Sequence, residues 1–274
     1  YLRGTDGRRL KQKIAKGQWK PISDNNEMEP KDGYDVISTI DVNIQDIAHH
    51  SLLRQLEYFE ADHGTVVVME TATGEIKAMS NLGRTEDGTY FEKRNYAVYE
   101  AHEPGSTFKL MAMVAALEDE VVDTSQVIDT EKGVVRFYGR PVRDSHHGGY
   151  GEISAAKAFE LSSNTAFTKM ITEGYKNDPS KFVDRLYDMG LNDKIGLEIK
   201  GEGSPRIPHP QDKSWNGLSL PWMAFGYGVA ITPLQTLTFY NAIANDGEMI
   251  KPRFIKAVKD RDKSIITMDK QVMN

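Results

Sequence analysis

Hydrophobic positions along this chain fall into several distinct rhythms. Ile44, Ala48, Leu52, Leu56 and Phe59 return every three or four residues behind Asp41, which predicts a long helix with an aspartate N-cap. A short strand is predicted just before it, over residues 36–40. Residues 65–70 and 75–80 are β-rich runs separated by Thr71-Ala72-Thr73-Gly74, the pattern of a hairpin. Residues 110–117 are apolar without a charge, which predicts a helix wrapped on all sides. Helical spacing returns over residues 154–161 and 165–175, broken by Ser162-Ser163-Asn164. It returns again after Thr232-Pro233, an N-cap followed by proline at the first helical position, and stops at Gly247. Residues 121–150 and 197–210 read as loop, and a further strand is predicted around residues 254–258.

Residues 1–34 carry no sustained period and are rich in Gly, Lys, Arg, Asp and Asn, so they are expected to be a linker or the remnant of a preceding non-catalytic domain. The ordered domain is expected over residues 35–274. With 274 residues, 39% of them hydrophobic and 27% charged, the chain can bury a sizeable core. A net charge of −6 argues against a nucleic-acid partner, because neutralising phosphates requires clustered Lys and Arg. The basic stretch at residues 8–13 reads as solvated linker. The chain has no cysteine, which excludes disulfides, thiolate zinc sites and thiol catalysis. No apolar run approaches the roughly 18 residues of a membrane span, and no signal peptide stands at the start. If the parent protein is membrane-anchored, the anchor is expected outside these residues.

Candidate chemistry centres on Glu103-Pro104-Gly105-Ser106-Thr107-Phe108-Lys109. Residues three apart share a helix face, so Lys109 can reach back to the Ser106 hydroxyl, and a serine paired with a lysine is one way to activate a nucleophile. The tetrapeptide spacing alone is weak, expected about once by chance in such a chain, and it occurs here again at Ser154/Lys157. There the flanking pattern predicts an N-cap serine with Lys157 on a solvent face. The apolar run after Lys109 instead predicts burial of its amine. Bringing a lysine from its ordinary pKa near 10.4 to about 7 disfavours the charged form by about 4 kcal/mol, which calls for few waters and neighbouring cations. In the Ser162-Ser163-Asn164 break, Ser162 and Asn164 can face one cleft while Ser163 supports the bend, offering a proton relay and a substrate hydrogen bond. The same three residues can also serve simply to cap the next helix. Asp144-Ser145-His146-His147 is not expected to bind metal, since adjacent histidines diverge and no third ligand is suitably spaced. No cofactor is expected.

Taken in order, Thr39-Ile40-Asp41 with Gln45, Thr73-Gly74-Glu75-Ile76, Pro104-Gly105-Ser106-Thr107-Phe108-Lys109, Ser162-Ser163-Asn164, Gly226-Tyr227-Gly228 and Thr232-Pro233-Leu234-Gln235 carry a resemblance. From about residue 34 onward the chain resembles the transpeptidase domain of class B penicillin-binding proteins, most nearly the cell-division type. The resemblance implies an α/β (α+β) fold, with an antiparallel sheet between helical layers and a mostly helical lobe over residues 105–245. It implies Ser106 as the acylated nucleophile, Lys109 as its base, Ser162 as a relay to the leaving amine and Asn164 as a holder of the substrate backbone. The Ser106 amide would form half of an oxyanion hole. Implied partners are peptidoglycan stem peptides ending in D-Ala-D-Ala, β-lactams as covalent inhibitors, and a membrane-embedded glycosyltransferase with other division proteins. The implied location is the periplasmic face of the cell membrane.

The family's third motif, Lys-Thr-Gly or Lys-Ser-Gly, occurs nowhere in the 274 residues, so the domain is expected to stop before it. The edge of the first hairpin is then expected to be disordered or covered by another chain. Rival readings are a serine β-lactamase or β-lactam sensor, disfavoured by Thr232-Pro233-Leu234-Gln235 and the long linker, and a D,D-carboxypeptidase using the same residues. A non-catalytic division scaffold is disfavoured by the intact Ser106, Lys109, Ser162 and Asn164. A Ser-His-Asp hydrolase is disfavoured by the lack of a Gly-x-Ser-x-Gly elbow.

Overall fold

The computed structural model describes residues 1–22, 27–261 and 263–273. The N-terminal stretch expected to be a linker contains two short antiparallel strands, β1 (Lys11–Lys13) and β2 (Trp19–Pro21). Bridges from Thr5 to Lys31 and from Arg8 to Met28 fold it back on itself.

Strand β3 (Asp35–Ser38) leads to helix α1 (Val42–Phe59), where the Asp41 carboxylate accepts from the Asn43 and Ile44 amides as anticipated for an N-cap. The buried stripe of α1 is shifted from the anticipated one. Ala48 and Leu56 are buried, Leu52 is half-buried, and Ile44 and Phe59 are exposed. Polar Gln45 occupies the inner face because its amide clamps the Met79 backbone from both sides, donating to the carbonyl at 2.9 Å and accepting from the amide at 2.8 Å.

The hairpin is present as β4 (His63–Met69) and β5 (Ile76–Arg84), and β5 pairs onward with β6 (Tyr90–Phe91). Among the described residues β4 pairs with no strand on its other side, and the short helix α2 (Tyr96–Tyr99) packs against it. Next come α3 (Lys109–Glu118) and β7 (Val127–Asp129), then β8 (Val134–Phe137), β9 (Arg140–Arg143) and β10 (Glu152–Ser154). The segment read as loop therefore holds the antiparallel hairpin of β8 and β9 and also β7, which pairs antiparallel with β10 just beyond it. The cross-strand pair Val135 and Val142 buries one side of the β8–β9 hairpin, a signal too short to stand out by period alone.

Helices α4 (Ala155–Glu160), α5 (Asn164–Gly174), α6 (Pro179–Asp188), α7 (Ser219–Met223) and α8 (Pro233–Ala244) complete the helical lobe. The α8 start is the anticipated one, with Thr232 and Gln235 forming a reciprocal capping box. The main core joins Met111, Phe167, Ile171, Phe182, Met223 and Ile231, among others, across these helices. Strands β11 (Ile255–Asp260) and β12 (Lys263–Thr267) pair antiparallel with β3 in the order β12-β11-β3. Buried Glu75 ties this sheet to the hairpin through ion pairs with Lys77, Arg253 (2.9 Å) and Lys256 (3.2 Å). The result is a mixed fold of antiparallel sheets and helices, as anticipated.

Candidate active site

Ser106 does not open α3. It lies one turn earlier, in a tight 3-10 turn at Gly105–Phe108 that runs directly into the helix at Lys109. The turn is fixed from outside. The Gly105 amide donates to the Gly226 carbonyl at 3.1 Å, and the Tyr240 hydroxyl donates to the Thr107 carbonyl at 3.0 Å. The Glu103 carboxylate accepts from the Gly228 amide at 2.8 Å. Gly226 has φ +88°, and a Cβ there would lie 2.0 Å from the Gly105 carbonyl oxygen. The Gly-Tyr-Gly segment and the Ser106 turn therefore touch backbone to backbone, a contact that only glycine permits.

From this turn the Lys109 side chain passes beneath Ser106 into the lobe, where only 1% of the residue is exposed. Its Nζ lies 3.1 Å from Ser106 Oγ, 2.9 Å from Ser162 Oγ, 2.7 Å from the Ser162 carbonyl oxygen and 2.6 Å from Asn164 Oδ1. The Phe167 ring centroid is 5.6 Å away. The structure thus brings together Ser106, Lys109, Ser162 and Asn164, with both hydroxyl-bearing residues exposed at the mouth.

The geometry dictates where the lysine protons sit. The Ser162 carbonyl and Asn164 Oδ1 can only accept, so each takes one N–H. In the neutral amine these two bonds use both protons and leave the lone pair toward the Ser106 and Ser162 hydroxyls. In the ammonium form the third proton points the same way. Burial pulls the Lys109 pKa down from 10.5 to about 8, and Asp144 acts in the opposite direction. The anticipated neighbouring cations are not the cause of the shift, which burial produces against a nearby anion.

Ser162 presents both its oxygens to Lys109 from a left-handed backbone conformation, φ +52°, unusual for a residue other than glycine. The Ser162-Ser163-Asn164 break divides its tasks among different residues. Buried Ser163 caps α5, its Oγ accepting from the Ala166 amide at 3.1 Å, while Ser162 and Asn164 face Lys109. Asn164 is fixed at its other end, where its Nδ2 donates to the Arg143 carbonyl at 2.9 Å.

Ser154 behaves as a cap. Its Oγ accepts from the Lys157 amide at 3.1 Å, and exposed Lys157 pairs with Glu160 at 2.7 Å. In the 144–147 segment, His146 bonds the Gly149 carbonyl through Nδ1 at 3.0 Å. Among the described residues no group of three potential metal ligands converges there or elsewhere, and no helix is long and apolar enough to cross a membrane. Sequence reasoning missed Asp144, whose carboxylate is bonded to the 162–165 turn, and Glu103. A lone acid in a loop, 18 positions ahead of the turn it serves, leaves no periodic trace.

Residues 64–274 match the family described as penicillin binding protein transpeptidase domain. The chain is 31% identical over 265 residues to penicillin-binding protein PbpB of Mycolicibacterium smegmatis, covering 93% of this chain and 40% of that protein. It is 29% identical over 248 residues to stage V sporulation protein D of Bacillus subtilis (88% and 38%). It is 28% identical over 252 residues to peptidoglycan D,D-transpeptidase FtsI of Escherichia coli (90% and 41%). Among solved structures, penicillin binding protein 3 from Mycobacterium tuberculosis complexed with aztreonam superposes with a TM-score of 0.76 at 26% identity, covering 90% of this chain and 56% of that one. The chain spans about two fifths of the length of these curated relatives.

Proposed function

Because the chain belongs to the penicillin-binding protein transpeptidase family, we propose that it carries the catalytic residues of a peptidoglycan D,D-transpeptidase acting in cell-wall synthesis at division. Residues 35–274 are assigned to that catalytic domain. The supporting observation is the convergence of Ser106, Ser162 and Asn164 on the buried Lys109 amine.

In this reading the Ser106 oxygen attacks the carbonyl carbon of the penultimate D-Ala of a stem peptide. Its proton passes to the lone pair of Lys109, and the Ser106 amide stabilises the oxyanion. As the tetrahedral adduct collapses, the bond to the terminal D-Ala breaks. Its departing amine takes a proton from Ser162, which Lys109 resupplies at 2.9 Å. Asn164, held by the Arg143 carbonyl, binds the substrate backbone. An amine of a neighbouring stem peptide then attacks the Ser106 ester, releasing the serine and forming the cross-link. A β-lactam enters by the same first attack and remains as an ester on Ser106. The substrate places this chemistry on the periplasmic face of the cell membrane, where the proposed partners are a membrane-embedded glycosyltransferase and other division proteins.

The test is mass spectrometry after incubation with a labelled penicillin, followed by peptide mapping. The expected result is a single adduct on the peptide containing Ser106. An adduct on Ser154, or none on Ser106, overturns the assignment.

A further inference from the structure

Asp144 stands at the end of β9, outside the cluster of Ser106, Lys109, Ser162 and Asn164, and its carboxylate is nonetheless fully engaged by the turn that carries Ser162 and Asn164. Oδ1 accepts from the Ser163 hydroxyl at 3.1 Å and the Thr165 amide at 3.0 Å. Oδ2 accepts from the Thr165 hydroxyl at 2.7 Å and lies 3.2 Å from Ser163 Oγ. Ser163 and Thr165 are fully buried, so these bonds are shielded from competing water. The adjoining Arg143 carbonyl holds Asn164 Nδ2. One strand end therefore grips residues 163, 164 and 165 consecutively, immediately after the left-handed Ser162.

We propose that Asp144 is a positioning residue for the Ser106–Lys109 pair, acting in two separable ways: its carboxylate tethers the Ser162–Thr165 turn against Lys109, and its negative charge offsets the ammonium that forms when Lys109 takes the Ser106 proton. The tether is needed because Ser162 holds a conformation that an unconstrained serine avoids. Unless the next three residues are pinned, its carbonyl and hydroxyl drift from the lysine. The charge is needed because Lys109 is sealed from solvent with oxygen dipoles and one aromatic ring for company. Ser106, Ser162, Asn164 and Phe167, which face it from the 3-10 turn, the turn between α4 and α5, and α5 itself, carry no formal charge. Among the described residues Asp144 is a charged group that favours the ammonium form of Lys109, against the effect of burial. On the far side of α5, Lys169 is engaged by Glu131 at 3.3 Å and by the Asp129 carbonyl at 2.8 Å.

The inference rests on the function proposed above for its catalytic meaning, and two substitutions separate its halves. Asp144→Asn keeps the shape, one accepting oxygen for the Thr165 amide, and an NH2 that the Thr165 hydroxyl can accept, while removing the charge. Asp144→Ala removes both. Two readouts are needed. One is the pH dependence of acylation by a fluorescent penicillin. The other is the titration of Lys109 itself, followed by NMR of 13C-lysine-labelled protein and assigned with Lys109→Arg, which requires no turnover.

For Asp144→Asn the expected result is a Lys109 midpoint lowered by about half a pH unit or more, with the alkaline plateau of acylation within about threefold of the parent. For Asp144→Ala the midpoint falls too, and the plateau itself drops about tenfold or more because the turn is mispositioned. A Lys109 midpoint in Asp144→Asn that coincides with the parent overturns the charge role. A plateau in Asp144→Ala equal to the parent's overturns the tether. A purely structural contribution lowers signal at every pH without moving the midpoint. Should Asp144→Ala fail to fold, the near-isosteric Thr165→Val removes the 2.7 Å bond together with the 3.2 Å contact between the Thr165 and Ser163 hydroxyls, and an unchanged plateau there also overturns the tether. Absence of any acylation in the parent would count against the proposed function, while the lysine titration would still decide the role of the charge.

Discussion

Ser106/Lys109 and Ser154/Lys157 place the same two side chains at the same spacing, and the molecule treats them in opposite ways. At the second pair the serine hydroxyl is occupied by the backbone of its own helix, and the lysine lies in solvent beside Glu160. At the first the serine precedes the helix in a 3-10 turn, so its hydroxyl is not spent on capping. The lysine is drawn inward by oxygens from a segment 53 and 55 residues away. What distinguishes the proposed reactive pair from a cap is thus the tertiary environment, namely which acceptors the lysine finds and how much water it loses.

Exchanging the two lysines for methionine tests that contrast most severely. Lys109→Met is expected to lower the rate of penicillin acylation by about 100- to 10,000-fold, the usual contribution of a positioned general base. Lys157→Met is expected to leave the rate unchanged and, as loss of an exposed pair, to alter stability by less than about 1 kcal/mol. Comparable rate losses in the two variants, measured by gel fluorescence over time, would erase the distinction.

A smaller effect comes from the proton on Lys109. The folded state holds Lys109 at about 8 against 10.5 for the free side chain, so between these values the unfolded chain binds more protons and stability rises with pH. Chemical denaturation at pH 8 and pH 10, taken as parent minus Lys109→Met, is expected to show the parent gaining about 2 kcal/mol over that interval. A flat curve for Lys109 would mean that its amine is hydrated in solution. The smallest effect belongs to the caps. Ser154→Ala is expected to cost about 1 kcal/mol in denaturant unfolding while penicillin labelling stays intact, and loss of labelling would join α4 to the chemistry.

Legibility in the sequence followed the range of the interactions. Asp41 and Thr232 accept from amides within four positions of themselves, and each was readable as a cap. The 110–117 run advertised a buried helix and with it the burial of Lys109. The register of α1 was misjudged because Gln45 buys its inner position with two bonds to Met79, a partner 34 residues away. The same distance effect hid Asp144. Its bonds skip 19 and 21 residues to Ser163 and Thr165, and next to two histidines the local pattern drew attention to metal binding instead. The strands β8 and β9 went unseen because four-residue runs with two buried valines barely exceed chance.

The backbone contact between Gly105 and Gly226, with Glu103 reaching Gly228 across 125 residues, also sets when the site comes into being. Ser106 and Lys109 are neighbours as soon as that piece of chain is made. The oxygens that orient the lysine arrive only after a loop of 53 residues closes, and the brace behind the serine only after a loop more than twice as long. Closing such loops costs entropy that local helix formation does not. A chain in which those loops have not closed holds Ser106 beside a lysine that still lacks its orienting oxygens, so under the proposed function the nucleophile is assembled by long-range closure and not by the local helix alone.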